Sequence, residues 1–423
     1  MSKTVPIHLP LFQRFDCHRC GYCCRNLVVN VTAEERRRII SAGWVERLVG
    51  TRLFESYRFL GRRYHRLAHR QEGGCVFLGQ DGLCRLHAET GSEIKPLACR
   101  LYPFVPSPGA DVVRVDLRFD CPSVAANKGR SLGAHTADIA ALAAEMGARP
   151  MDHPPAWRGQ RSTTPREFTA LAAAFEGLLR REGSPIRQRL LAGCQLPDLL
   201  YGLRIARVRN DRFAELMSLL ADAASEEAWK ASPNAAPPAM PARAGKLFRQ
   251  WLFLHSLADD PQDLAIGLVG RRFRSWRRYR ESRRFSAGSG PVPAIRPDWP
   301  SASFEDLLRV EPAPDEALEP VCRALRVKLE THAFSGPAYF GYETLAGLTA
   351  LWLMPGVAGW FARLQAVGKG SATLTPEAVI EGLRQAHHTF GISPVFRRIS
   401  ERFRLRALAR PGIPAAILAK YGP

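Results

Sequence analysis

Eight cysteines crowd the first 121 positions of this 423-residue chain: Cys17, Cys20, Cys23, Cys24, Cys75, Cys84, Cys99 and Cys121. Only Cys194 and Cys322 follow. The densest run, Cys17-His-Arg-Cys20-Gly-Tyr-Cys23-Cys24, is a CxxCxxCC pattern. Two residues between cysteines let a tight turn aim both sulfurs at one metal. Gly21 stands where such a turn needs a positive φ. The CxxCxxC spacing supplies thiolates to cubane iron–sulfur clusters, and a CxxC knuckle equally suits tetrahedral zinc. Spacing alone leaves iron–sulfur, with [4Fe–4S] favoured, and Zn2+ both open. Adjacent side chains diverge, so Cys23 and Cys24 are expected to serve two sites, or one of them to stand beside the ligands. Eight thiols make one or two four-thiolate centres.

Charge and compartment support a metal over disulfides. Four thiolates around zinc or an oxidised four-iron cubane leave a net charge of about −2. Arg19, Arg25, Arg85 and Arg100 adjoin the cysteines. They are expected to offset that charge and to lower the thiol pKa values. Met1 to Phe15 has neither an apolar run nor a small-residue cleavage site, so the chain reads as cytoplasmic. In a reducing compartment a cysteine cluster holds metal.

The elements that must position these sulfurs are short. Thr32 with Glu35 forms a capping box, and Ile40, Trp44 and Leu48 give its helix an apolar stripe. Cys75 to Cys84 reads as a hairpin turning at Asp81-Gly82, and Val112–Leu117 as a strand. Beyond residue 125 the pattern is helical. Thr164-Pro165 with Glu167 opens a helix burying Phe168, Leu171, Phe175, Leu178 and Leu179. A second helical run covers 212–229. Thr375-Pro376-Glu377 opens another, with Val379, Ile380 and Leu383 inward and Gly391 as its stop. The uncharged stretch Thr344 to Ala362 is long enough for a membrane span. Pro355-Gly356 divide it, so two short buried helices are expected and no span. The fold class is mainly α: a small irregular α+β Cys-rich metal-binding domain (1–125), a helical domain (126–231), a linker (232–245) and a helical C-terminal domain (246–423).

In three blocks the chain resembles a known family. They are Cys17-x-x-Cys20-Gly-x-Cys23-Cys24; then Cys75-x-Phe77-Leu78 with Asp81-Gly82-x-Cys84-x-x-His87; then Pro96-x-x-Cys99-Arg100-x-Tyr102-Pro103-Phe104. Together they resemble the zinc- or iron-chelating CxxCxxCC cysteine-cluster (YkgJ) family, which is grouped with flagellin lysine-N-methylase of bacteria. The resemblance covers about residues 15–122. Lys95 departs from it, since the family usually has Arg before that Pro. What the resemblance implies is a metal or iron–sulfur domain. It brings in protein lysine N-methyltransferase activity, with a protein substrate and S-adenosylmethionine, only as an alternative. No G-x-G-x-x-G, P-loop or CxxxCxxC pattern supports that alternative, and no catalytic residue is assigned.

Other candidates read more plainly. His18 and His87 are expected to face solvent or hydrogen-bond rather than ligate metal. His65 and His69 would share a face of a helix, among arginines that disfavour a metal pair. Of His387-His388, one should face in and one out. Composition adds a basic balance, Lys+Arg 60 against Asp+Glu 40, which favours anionic partners. Its densest run is Arg271–Phe285, where Phe273, Trp276 and Tyr279 recur every three residues among arginines. Two readings fit that run. One is a nucleic-acid-binding helix; the other, preferred, is an amphipathic helix with its aromatics in the core and Arg in water.

Overall fold

The computed structural model describes residues 5–423 apart from 60–61, 71–72, 160–161, 204–206, 231–238 and 258–267. Helices make up 57% of it, and the sheets are small and confined to the N-terminal region. The mainly α reading with an α+β start is therefore correct. In one sheet, Val113–Leu117 is central, parallel to Ile7–His8 and antiparallel to Phe104–Pro108. In another, Arg62–Leu67 lies between Asn30–Val31 and Phe54–Phe59, antiparallel to both. Arg14–Phe15 pairs with Arg130–Ser131.

Apolar burial divides these elements unequally. A large core runs from Leu9 and Phe15 through Val115, Leu117 and Cys121 to Phe168, Trp251, Trp360 and Tyr421. Among the described residues a second core of ten buried apolar residues, Val31 to Leu86, underlies the Arg62–Leu67 sheet. Trp44 and Phe77 meet edge to face at its centre, with ring centroids 5.4 Å apart.

Polar ties join the first sheet to the helical body. Lys328, on the helix Glu319–Glu330, donates to the Asp116 carboxylate and to the Leu117 carbonyl. Arg323 on the same helix donates to the Gln13 side chain (2.6 Å) and to the carbonyls of Val124 (3.0 Å) and Ala125 (2.7 Å). Those carbonyls lie at the end of the short helix Pro122–Ala125, where the Val124 carbonyl also accepts from Gln13 (3.1 Å) and from Asn127 N–H (3.1 Å).

Capping signals located helices well. Thr164 and Glu167 cap the helix Pro165–Arg180, and all five apolar residues expected inside are buried. The run expected over 212–229 is the helix Asn210–Lys230. Thr375 caps Pro376–Thr389, with Val379 and Leu383 buried. Four expectations fail. First, Thr344–Gly368 is one continuous helix, not two joined at Pro355-Gly356. By length and composition it could cross a membrane, yet 94% of its apolar window is buried inside the protein. Pro355 forfeits one helical bond, but close packing surrounds that point. A Cβ on Gly359 would stand 2.1 Å from the Tyr421 carbonyl oxygen. Second, the capped helix Ala33–Ser41 breaks at Gly43 (φ 76°) before Trp44–Arg47, so Ile39 rather than Ile40 is its buried apolar residue. Third, His65 lies on the strand Arg62–Leu67 and His69 in a bridge to Cys75, so no helix unites them. Fourth, Phe273, Trp276 and Tyr279 lie on the outside of the helix Leu268–Ala287. Most of the expected linker, 232–238, falls outside the described residues, and Ala242–Ser256 is already helical.

Candidate metal centre

Gly21 adopts φ 68°, the left-handed conformation the CxxC turn needs. It opens the helix Tyr22–Asn26, which carries Cys23 and Cys24. The Arg25 guanidinium reaches back to the Cys20 carbonyl (2.8 Å) and closes the turn. Opposite, Cys75 donates its backbone N–H to the Cys24 carbonyl at 2.8 Å, tying the hairpin to this helix. The hairpin forms as expected. Leu78 bridges Cys84, and Gly82 sits at φ 78° beside the Asp81 carboxylate, which accepts from Leu83 N–H. Cys84 then precedes the helix Arg85–Thr90, and Cys99 rides on Leu97–Leu101.

Glu35 sets the position of that last helix. Its carboxylate accepts from Thr32 N–H (2.7 Å), completing the capping box, and also from Leu97 N–H (2.7 Å). Burial works to raise its pKa, but the backbone N–H groups of Thr32 and Leu97 outweigh burial and hold it below the usual 4.5. Glu35→Ala leaves both donors unpaired and is expected to cost about 1–3 kcal/mol in urea unfolding at neutral pH. Because the folded pKa is the lower one, that stabilisation is full above 4.5 and fades as pH falls through the lowered value. The gap between wild type and variant should therefore close in acid.

Five cysteines lie on the elements of this junction. Cys23 and Cys24 sulfurs are 3.9 Å apart, and Cys75, Cys84 and Cys99 stand within electrostatic reach of Cys23 or Cys24. The expected divergence of Cys23 and Cys24 is thus not seen: a short helix and the abutting hairpin turn both sulfurs to one side. Cys121 lies apart from these and within reach of Cys20, while Cys17 and Cys20 are exposed. All ten cysteines are free thiols, and Cys194 and Cys322 are buried in the helical body. Among the described residues no three Cys, His, Asp or Glu side chains already converge tightly enough to hold an ion.

The electrostatics differ from expectation. Burial pushes Cys75 up to about 12 and Cys121 up to about 11, and raises Cys99 as well. Cys24 is raised by its hydrogen bond with Cys23 and by burial. Cys23 is held down, to about 6, by the Cys24 thiol against burial, with Lys95 assisting. Lys95, not an arginine, is the cation that acts on Cys23 and Cys99. Arg85 pairs with Glu89, and Arg100 with Glu145. His18 bonds Ser123 (2.7 Å) and His87 is exposed, as the plainer reading held.

A polar cluster that the sequence did not suggest borders Cys121. The buried Asp120 carboxylate accepts from Arg118 (2.6 Å), stands 3.3 Å from the His388 ring nitrogen and 3.4 Å from the Tyr102 hydroxyl. Arg384 donates to the Asp120 carbonyl (3.2 Å) and covers the Tyr22 ring, 4.6 Å from its centroid. His387 is buried against Phe119, so neither histidine of the pair points outward. Through this cluster the helix Pro376–Thr389 fixes the segment that ends in Cys121.

The donor chemistry fits a thiophilic metal. A tetrahedral thiolate set with Zn–S near 2.3 Å has sulfurs about 3.8 Å apart, close to the 3.9 Å between Cys23 and Cys24. Residues 16–125 match the family model CxxCxxCC, described as "Putative zinc- or iron-chelating domain". No curated protein and no solved structure matches the chain.

Proposed function

We propose that the N-terminal region is a metal centre in which Cys23, Cys24, Cys75, Cys84 and Cys99 supply the thiolates, four of them ligating at once. Cys17, Cys20 and Cys121 form a smaller set beside it. One observation carries the reading. Cysteines from the helix Tyr22–Asn26, the hairpin 75–84 and the helix Leu97–Leu101 lie within electrostatic reach of one another as free thiols. Burial and neighbouring thiols raise the pKa values of Cys24, Cys75 and Cys99, and gathering such thiols is unfavourable unless a cation takes their protons' place. When bound, zinc supplies a fixed cross-link, and an iron–sulfur cluster supplies in addition an electron carrier. The chain's own contribution is to aim the sulfurs and to keep water from the inner ones. Lys95 and the adjacent backbone N–H groups offset the negative charge. A reduced thiol set of this kind belongs in the cytoplasm.

The test is metal and sulfide content of anaerobically purified protein. About one zinc, or iron with matching sulfide and a brown colour, is expected per centre. The double variant Cys75→Ser with Cys99→Ser, which leaves three thiols, should empty the inner centre, whereas Cys194→Ser and Cys322→Ser should leave metal content unchanged. Metal-free wild-type protein, or content indifferent to Cys75 and Cys99, overturns the proposal.

A further inference from the structure

The helix Leu268–Ala287 is anchored at its C-terminal end. Phe285 is buried against Phe253, Phe304 and Trp360, with centroids 5.1 to 5.7 Å apart. Arg249 donates to the last carbonyls, Ser286 (3.0 Å) and Ala287 (3.0 Å), which satisfies the end of the helix and complements its dipole. N-terminal to that anchor, Phe273, Trp276 and Tyr279 are 67%, 54% and 60% exposed. Large aromatics are rarely left so open in succession without a partner.

Helical geometry sorts the described side chains into two faces. At about 100° per residue, Phe273, Trp276 and Tyr279 share an arc of about 160° with Arg272, Arg277, Arg280, Arg283 and Arg284. The opposite arc carries Arg274, Arg278, Glu281, Ser282 and Phe285, which are half-buried or buried. The side chain of Arg271 lies outside the described residues. The outward face thus holds five arginines and three aromatic rings and no carboxylate. Glu281, at its margin, accepts from Arg277 (2.8 Å). Cations and rings interleave: the Arg280 guanidinium lies 4.7 Å from the Trp276 centroid, and that of Arg283 6.0 Å from Tyr279.

We propose that this outward face binds single-stranded nucleic acid, with Phe273, Trp276 and Tyr279 stacking on bases and the flanking arginines meeting phosphates. Charge complementarity selects a polyanion. The interleaving selects one that offers flat rings and phosphates together at short intervals. A membrane-surface helix instead needs a continuous apolar face with its charges opposite, and here every ring has an arginine beside it on the same arc. From Arg272 to Arg284 the face is about 18 Å long, the length of about five stacked nucleotides.

The test uses the full chain and a fluorescently labelled ten-nucleotide oligo(dT) or oligo(U), read by anisotropy. Binding is expected at 50 mM salt, with log K against log salt falling at a slope of about −3, since up to five phosphates each contribute about −0.7. The triple variant F273A/W276A/Y279A keeps the net charge and removes no buried contact. It should bind at least tenfold more weakly. Arg280→Gln with Arg283→Gln should lower the slope by about 1.4. Absence of binding at 50 mM salt overturns the proposal, as does binding that the triple variant leaves unchanged. So does binding of phosphatidylserine vesicles, lost in the triple variant, by a protein that ignores the oligonucleotides.

Discussion

Stripping the metal from the purified protein with a strong chelator is expected to abolish hydrogen-exchange protection between about residues 22 and 101. The helices Pro165–Arg180, Thr344–Gly368 and Pro376–Thr389 should keep theirs. The argument rests on the inequality of the two cores. Among the described residues, the segment that gathers Cys23, Cys24, Cys75, Cys84 and Cys99 rests on an apolar cluster of ten buried residues, too few to outweigh the ordering of several short helices and strands. Thiolate–metal bonds of a structural site contribute on the order of 10 kcal/mol to folding. The helical body draws on the extended core from Leu9 to Tyr421 and has no such dependence. Exchange followed by mass spectrometry, with and without chelator, distinguishes the cases. Equal loss across the chain would mean that one cooperative unit holds both parts. No loss anywhere would mean the metal is not what orders the segment.

The helical body was largely legible because its signals are local. A cap, a proline at the first position and an apolar face within one turn suffice to place Pro165–Arg180 and Pro376–Thr389. The Cys75–Cys84 hairpin was legible for the same reason, as Asp81-Gly82 sets its own turn. What failed depended on partners distant in the chain. Pro355 reads as a break, yet Ile417 and Tyr421 pack against Gly356 and Gly359 and keep the helix Thr344–Gly368 continuous. His65 and His69 have helical spacing, but the pairing of Arg62–Leu67 with Phe54–Phe59 overrides it. The aromatic ridge Phe273-Trp276-Tyr279 has the periodicity of a buried stripe; periodicity names a face and not the medium the face meets. At the cysteine junction the sequence supplied every thiol but misjudged their company. Arg85 and Arg100 look like counter-charges by adjacency, whereas Glu89 and Glu145 engage them and Lys95 is left to act on Cys23 and Cys99. Nothing local marks Asp120 or His388, which meet only when the helix Pro376–Thr389 docks.

Lys328→Met is expected to destabilise the protein by about 3–5 kcal/mol at neutral pH, because it strands a buried carboxylate. Asp116 is 5% exposed and Lys328 4%. Once the ammonium is gone, the Thr331 hydroxyl (3.4 Å) and the backbone are what remain for Asp116 among the described residues. Burial already raises the Asp116 pKa above its usual 3.8 against the pull of Lys328, and removing that pull raises it further. The sign follows from linkage: the folded variant keeps a proton that the unfolded chain releases near 3.8, so its stability falls as pH rises through that window. Urea unfolding should show a smaller deficit at pH 4.5 than at pH 7.5. Adding Asp116→Asn should recover much of the loss, since no charge is then buried. A deficit independent of pH and untouched by Asp116→Asn would assign the effect to lost packing of the lysine stem. The consequence reaches the cysteines: Asp116 lies on the strand that leads directly to Arg118, Asp120 and Cys121. If that strand is loosened, the cluster that positions Cys121 should loosen with it. Lys328→Met should therefore raise the reactivity of Cys121 toward a thiol reagent, and Asp116→Asn should reverse that rise together with the stability.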